Sequence, residues 1–220
     1  MTFFQKLRCL FTFGQGVALP LPKISASSDP FELFIKWFDD ASKSGMLLPE
    51  AMSVSTCDSE GQPSSRMVLL KEFNLDGFIF YTNYDSRKSQ HIVHNNKVSL
   101  LFHWGVLQRQ IRIEGVVSKI PLQQSSSYFH SRDRGSQIGA WASKQSQKLT
   151  NDNQLKDRFD YYTDKFGPGE IPHPSFWGGW QVKPHYVEFW QGRSSRLHDR
   201  VCFERENLDE NKWHHFKLHP

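Results

Sequence analysis

Residues 109–119 read RQIRIEGVVSK, and apolar and polar side chains alternate through the first half of this stretch. Ile111 and Ile113 fall on one side of an extended chain, while amide or charged residues fall on the other. Successive side chains of a strand point to opposite faces, so a period of two is typical of a strand with one face against a core. The stretch therefore predicts a half-buried β-strand over 109–119.

Similar short runs lie before and after this strand. Turn sequences separate them, among them SEGQP at 59–63 and NLDG at 74–77. Many short antiparallel strands with few helices are typical of a β-barrel with peripheral helices. The sequence predicts a mainly β fold whose further strands cover 51–57, 65–72, 77–83, 98–104, 186–191, 200–205 and 212–218.

Five segments are predicted to form helices. The first helix is predicted to begin after Asp29, which can cap it, with Pro30 in its first turn, and to end at Gly45. Its apolar face is predicted from residues spaced by three and four positions: Phe31, Phe34, Ile35 and Phe38. The other helices are predicted over 85–95, 121–132, 136–143 and 155–166.

Length and composition predict one domain at 29–220, preceded by a tail at 1–28. The chain of 220 residues is 38% hydrophobic and 23% charged, with 18 Phe and 7 Trp. This composition supplies enough apolar surface for a core and excludes collagen, coiled-coil and low-complexity chains. Segment 1–28 lacks Asp and Glu, which favours either a disordered tail or an organelle-targeting peptide.

The cysteines and the hydropathy pattern predict a cytoplasmic protein. Its 3 cysteines are far apart and include no C-x-x-C pair, which favours a reducing compartment and gives no support for a disulfide framework. No apolar run approaches the roughly 18 residues of a membrane-spanning helix, so no membrane association is predicted. His91 and His94 have no acidic or cysteine partner nearby, and we interpret them as a solvated helix face rather than a metal site.

A mild excess of positive charge favours small anionic ligands over nucleic acid. The net charge is +4, and nine Lys or Arg stand against four Asp or Glu between residues 66 and 132, without a block of like charge. The sequence also lacks the motifs of P-loop nucleotide binding, dinucleotide binding and the serine nucleophile elbow.

Basic residues at predicted helix starts are the candidate anion sites. Arg87 and Lys88 open a predicted helix, where free N–H groups, the helix dipole and the two cations favour a phosphate. Tyr128 and Arg132 share one face of a helix, and Ser136 lies at the start of the next. These three residues form either a second phosphate site or an ordinary helix with an aromatic core contact.

Segment 188–200 combines Trp190 with two arginines and a histidine, a set suited to clamping a flat, anionic, aromatic ligand. Taken together in order, seven segments of the chain resemble the pyridoxine (pyridoxamine) 5′-phosphate oxidase family. They span roughly residues 30–205, and a set of ordered motifs is more specific than any single one. The segments are RMVLLK at 66–71, FYTN at 80–83 with SRK at 86–88, RQIRIEG at 109–115, YFHSR at 128–132, SQIGA at 136–140, EFWQG at 188–192 and RLHDR at 196–200.

The resemblance implies an FMN-binding split β-barrel of Greek-key type, present as a homodimer with FMN at the subunit interface. It implies that FMN contacts Arg66, Met67, Val68, Leu69, Tyr81, Thr82, Arg87, Lys88, Gln110, Gln145, Ser146, Trp190 and Arg200, some of them from the partner chain. It implies that the substrate contacts Lys71, Tyr128, Arg132, Ser136, Arg196, Leu197 and His198. Arg196 and His198 are the implied catalytic residues, nearest the reacting carbon.

The implied reaction converts pyridoxine 5′-phosphate and pyridoxamine 5′-phosphate to pyridoxal 5′-phosphate, with O2 as acceptor and H2O2 as product, in vitamin B6 salvage. Two alternatives stay open: another flavin oxidoreductase on the same barrel, and a non-catalytic carrier of pyridoxal phosphate. The chain departs from the family at its end, FKLHP at 216–220, where an Arg-Leu-Ala-Pro-like tail is usual.

Overall fold

The structure, a computed structural model, describes residues 29–220 and, from the N-terminal segment, Leu7 and Leu21. The prediction of a disordered tail or targeting peptide at 1–28 therefore falls outside the described residues, apart from these two. The strands of the described part are β1 (Ala51–Cys57), β2 (Pro63–Leu69), β3 (Glu72–Asn74), β4 (Gly77–Asn83), β5 (Lys97–Trp104), β6 (Arg109–Lys119), β7 (Trp177–Gln191), β8 (Asp199–Glu204) and β9 (His214–Lys217).

Five α-helices surround these strands in the same part of the chain. They are α1 (Pro30–Lys43), α2 (Arg87–His94), α3 (Leu122–Ser131), α4 (Arg134–Ala142) and α5 (Gln154–Phe166). None of them combines the length and the apolar character that a bilayer crossing requires. The predicted mainly β fold with peripheral helices is confirmed.

The long strand β7 joins two parts of a single antiparallel sheet. The sheet runs in the order β2-β1-β5-β6-β7-β4-β3, and β6 follows one edge of β7 over nearly its whole length. The other edge of β7 is shared, because residues 177–182 pair with β4 and residues 186–191 pair with β8. The sheet therefore continues in two directions from β7, with β3 and β4 at one end and β8 and β9 at the other.

A β-bulge lies where β7 passes from β4 to β8. The register between β6 and β7 shifts between Glu114 and Gly115, so that His185 is the extra residue of β7. A Cβ atom added to Gly115 would lie 2.5 Å from the carbonyl oxygen of Lys183, which is closer than side chains approach backbone. Glycine at this position therefore lets the two strands stay together through the bulge.

Helix α1 closes the core with aromatic side chains. Asp29 caps the helix, its carboxylate accepting a hydrogen bond of 2.7 Å from the Phe31 N–H, as predicted. The buried ring of Phe34 lies 4.9 Å from Phe78 of β4. The prediction that Ile35 belongs to this face is wrong, since Ile35 is 54% exposed and Trp37 and Ala41 are buried instead. The buried stripe runs through Phe34, Trp37 and Ala41. Ile35 follows Phe34 by one position, which turns its side chain by about 100° away from this stripe toward solvent.

Two predicted strands differ from the structure by more than their end residues. The run predicted over 65–72 is broken after Leu69, because the next two backbone N–H groups bond to Glu50, just before β1, and to Ile79 of β4. The strand predicted over 186–191 is only the second half of β7. Its first half holds Gly178, where a Cβ would collide with Tyr84, and a proline, both of which weaken the sequence signal of a strand.

We expect Gly115→Ala to lower the free energy of unfolding by about 2 kcal/mol, because its Cβ must displace the backbone of β7. Urea denaturation measures this quantity. Gly139→Ala is the matched control, because nothing lies within 4 Å of a Cβ at this position of α4. Alanine favours a helix over glycine by up to about 1 kcal/mol, so the control stays neutral or gains stability. Equal losses for the two variants would contradict the role of Gly115.

Candidate functional site

A cavity of about 1110 Å³ opens beside the half of the sheet that contains β4. Its walls come from β2, β4, the start of α2, the facing ends of α3 and α4, and the segment after α4. Fourteen of the residues predicted for cofactor or substrate line it: Arg66, Met67, Val68, Leu69, Lys71, Tyr81, Thr82, Arg87, Lys88, Tyr128, Arg132, Ser136, Gln145 and Ser146.

The ammonium group of Lys88 marks one end of the cavity. It donates hydrogen bonds to Thr82 Oγ1 at 2.7 Å, Ser86 Oγ at 3.0 Å and Gln145 Oε1 at 3.1 Å, all neutral oxygens. Burial lowers the pKa of Lys88 to about 8, and the charge of Arg66 contributes in the same direction. Among the described residues no carboxylate lies within ion-pair distance of this ammonium group, so an anionic ligand is its natural counter-charge.

Two guanidinium groups lie at the same end. Arg66 projects from β2 and donates to Thr56 Oγ1 at 2.7 Å and to the Ser64 backbone oxygen at 2.9 Å. Burial lowers the pKa of Arg66, and the charge of Arg87 adds to this effect. Arg87 is the first residue of α2, whose first turn contains no acidic residue. Free N–H groups, the helix dipole and three cations therefore converge where a phosphate would be stabilised.

Stacked aromatic rings form another wall of the cavity. The rings of Tyr81 and Tyr128 stack with centroids 3.9 Å apart, and the Trp177 ring lies nearly parallel to Tyr128 at 6.2 Å. The Tyr81 hydroxyl donates to Glu72 at 2.8 Å. Burial, and then this hydrogen bond, raise the pKa of Tyr81, so its phenol stays neutral. This wall is flat and carries no charge of its own.

Arg132 supplies a cation beside the aromatic wall. Its guanidinium lies 4.7 Å from the centroid of the Trp177 ring, and burial lowers the pKa of Arg132. Its buried Nη1 has no hydrogen-bond partner among the described residues, so it is available to an acceptor on a ligand. Ser136 lies in the first turn of α4, where Asp133 caps the helix by accepting from the Ser136 N–H at 2.8 Å.

The remaining predicted site residues form a second group at the other end of β7. Gln110 pairs with Trp190 across β6 and β7, and Trp190 pairs with Arg200 across β7 and β8. The ring of His198 lies 4.6 Å from that of Trp190. None of these side chains lines the cavity of the same chain. The second group consists of Gln110, Trp190, Arg196, Leu197, His198 and Arg200.

Sequence reasoning missed the carboxylate that orders the second group. Glu188 is 2% exposed, and its oxygens lie 2.6 Å from Arg200 Nε and 3.3 Å from Arg112 Nη2. The strand register brings these groups together, because Glu188 lies directly opposite Arg112 on β6 and Cys202 on β8. Knowledge of this register is the signal that would have identified Glu188. Within the described part of the chain, no three His, Cys, Asp or Glu residues are grouped so that they could hold a metal ion.

Two family models match the chain along most of its length. Residues 38–166 match the model described as pyridoxamine 5′-phosphate oxidase. Residues 177–220 match the pyridoxine 5′-phosphate oxidase C-terminal dimerisation region. The chain belongs to the pyridoxamine 5′-phosphate oxidase family. The first of these matches alone covers more than half of its residues, and the resemblance stated from the motifs is confirmed.

Relatives of this oxidase family match the chain from end to end. The pyridoxine/pyridoxamine 5′-phosphate oxidase of Colwellia psychrerythraea is 67% identical over 220 residues, which are the whole of both chains. The protein of the same name from Psychromonas ingrahamii is 50% identical over the same full length. The chain is therefore an enzyme of the oxidase family.

Solved structures confirm the predicted split barrel. The structure of PhzG from Burkholderia lata, in complex with tetrahydrophenazine-1-carboxylic acid, has a TM-score of 0.85 at 26% identity and covers 93% of this chain and all of its own. A pyridoxamine 5′-phosphate oxidase-related, FMN binding protein from Nostoc punctiforme has a TM-score of 0.71 at 14% identity, covering 89% of this chain and all of its own. At that identity the second likeness shows the fold alone.

Proposed function

We propose that the chain binds FMN in its cavity and oxidises pyridoxine 5′-phosphate and pyridoxamine 5′-phosphate to pyridoxal 5′-phosphate. O2 is the electron acceptor and H2O2 the product, and the amine substrate also consumes water and releases ammonia. The observation that carries this proposal is the presence of two separate anion sites in one cavity, at Lys88 and at Arg132. A cofactor and a substrate that each carry a phosphate need both.

The residues at the Lys88 end fit FMN. Arg66, Arg87 and Lys88 would hold its phosphate, since they supply three cations and none of them forms a salt bridge with a carboxylate in the described part of the chain. Thr82 and Gln145 offer hydroxyl and amide groups for the ribityl chain. Strand β2 lies at an edge of the sheet and pairs only with β1 among the described strands, so its outer backbone groups are free to bond a flavin edge. When bound, FMN supplies the hydride acceptor and the centre that O2 reoxidises.

The Arg132 end would hold the substrate phosphate. The buried Nη1 of Arg132 requires an acceptor, and Lys71, Tyr128 and Ser136 line the same wall. The Tyr128 ring belongs to the neutral aromatic stack, which suits contact with a pyridine ring. These residues bind and orient the substrate, and orientation is the main contribution of the protein when a cofactor provides the chemistry.

A second copy of the chain would complete the site. Trp190, Arg196, His198 and Arg200 lie outside the cavity of their own chain but inside the segment that matches the family's dimerisation region. We propose a homodimer in which this second group reaches the cavity of the partner. There Arg196 and His198 would lie nearest the reacting carbon of the substrate, Leu197 would space them, and Gln110, Trp190 and Arg200 would contact FMN.

Lys88 predicts a specific pH dependence for cofactor binding. Its pKa of about 8 means that the ligand-free protein loses this charge as the pH rises from 7 to 9, whereas a bound phosphate dianion favours the charged form. We expect the Kd for FMN to rise about tenfold over this range. Lys88→Arg stays charged, so its Kd stays flat between pH 7 and 9 even where it is weaker throughout. Flavin fluorescence titration measures both, and an equal slope in the two proteins would contradict the assignment.

Visible spectroscopy tests the proposed reaction. We expect flavin absorbance in the purified full-length protein, bleaching on anaerobic addition of pyridoxine 5′-phosphate, and recovery with H2O2 formation on admission of air. Arg196→Ala is expected to keep the flavin and lose most of the bleaching rate. A flavin whose absorbance does not change on addition of the substrate would favour another flavin oxidoreductase. A protein that takes up no flavin even from added FMN would favour a carrier.

A further inference from the structure

A buried histidine connects two of the cations at the phosphate end of the cavity. His91 lies on α2, one turn after Arg87, and is 6% exposed. Its Nε2 lies 3.4 Å from Arg87 Nε, and its Nδ1 lies 3.2 Å from the hydroxyl of Thr56 on β1. The same hydroxyl accepts a hydrogen bond of 2.7 Å from Arg66. Arg66, Thr56, His91 and Arg87 therefore form one continuous hydrogen-bonded chain.

The partners of His91 determine its protonation. A guanidinium can only donate hydrogen bonds, so His91 Nε2 must accept from Arg87 and carry no hydrogen. A neutral ring then holds its hydrogen on Nδ1 and donates it to Thr56, whose oxygen also accepts from Arg66. A protonated ring would turn an N–H group toward Arg87 and add a fourth cation to the group. Asp58, in the turn between β1 and β2, is the carboxylate on this side: a hydrogen bond from the Gln62 backbone is the largest cause that lowers the pKa of Asp58, and His91 and Arg87 make smaller contributions.

Holding the two guanidinium groups in place before the ligand binds lowers the entropy cost of binding. Arginine side chains lose rotamer entropy when a ligand immobilises them, and this loss weakens binding. Thr56 is 1% exposed and His91 is held between a strand and its own helix, so both are rigid supports for mobile side chains. A cation that is already in place binds an anion without this cost.

We propose that His91, as the neutral Nδ1–H tautomer, is a positioning residue that holds Arg87 directly, and Arg66 through Thr56, at the phosphate end of the cavity. This inference rests on the proposed binding of the FMN phosphate there. His91 does not line the cavity itself, so it acts on the ligand through the two arginines.

Comparison of FMN with riboflavin, which lacks the phosphate, isolates this role. In the ligand-free full-length protein we expect His91→Leu to raise the Kd for FMN about tenfold, or about 1.4 kcal/mol, and to leave the Kd for riboflavin within about twofold. His91→Gln keeps an amide oxygen that can accept from Arg87, so it is expected to restore most of the FMN affinity. Thr56→Val removes the hydroxyl that joins His91 to Arg66 and leaves the contact between His91 and Arg87 in place, so it is expected to raise the Kd for FMN about threefold.

His94→Leu is the matched control, because His94 lies exposed at the opposite end of the same helix from Arg87. It is expected to leave both affinities unchanged. Equal losses of FMN and riboflavin affinity in His91→Leu would overturn the inference, since they would show a general structural defect. Unchanged FMN affinity in both His91→Leu and Thr56→Val would overturn it as well. A wild-type protein that binds FMN no better than riboflavin would instead refute the phosphate site, and the inference with it.

Discussion

The shared edge of β7 is the constraint on which the rest of the structure depends. A strand has two hydrogen-bonding edges, and β6 occupies one edge of β7. The other edge must therefore be divided, so β4 and β8 pair with its different ends. The bulge at Gly115 allows β6 to follow β7 through this division. Trp177, in the cavity, and Trp190, in the second group, are thirteen residues apart, about 40 Å of extended strand. This separation supports the proposal that one small-molecule site takes its two groups from different chains.

The two groups differ in how their positive charges are balanced. Beside the second group the buried carboxylate of Glu188 lies between Arg112 and Arg200, so the charge of Arg200 is balanced within the chain. In the cavity Lys88 and Arg66 bond only to neutral oxygens. Uncompensated buried charge is unfavourable in the ligand-free protein, and an anion relieves it on binding. Under the proposed function, the arrangement that costs stability would therefore provide affinity and selectivity for phosphorylated ligands.

The sequence predicted the alternating strands well and the tertiary contacts poorly. β1, β4 and β6 have the predicted bounds, because their side-chain period is a local property. The first half of β7 escaped detection, because Gly178 and Pro184 are set by neighbouring side chains and by the bulge rather than by strand propensity. The cavity residues were found through their ordered motifs. Glu188 was not found, and the interpretation of His91 as part of a solvated helix face is wrong, since His91 is buried. Their partners Arg200 and Thr56 lie more than ten residues away in the chain, beyond what a local pattern shows.

Subunit complementation tests most directly the claim that two chains build each site. Arg132→Ala removes a cation of the cavity, and Arg196→Ala removes one of the second group. Each variant alone is expected to be nearly inactive. After subunit exchange, each mixed dimer would contain one intact and one doubly defective site, so activity would recover to about one quarter of the wild-type value. Mixed dimers that form, as verified by mass spectrometry, but recover no activity would contradict this account.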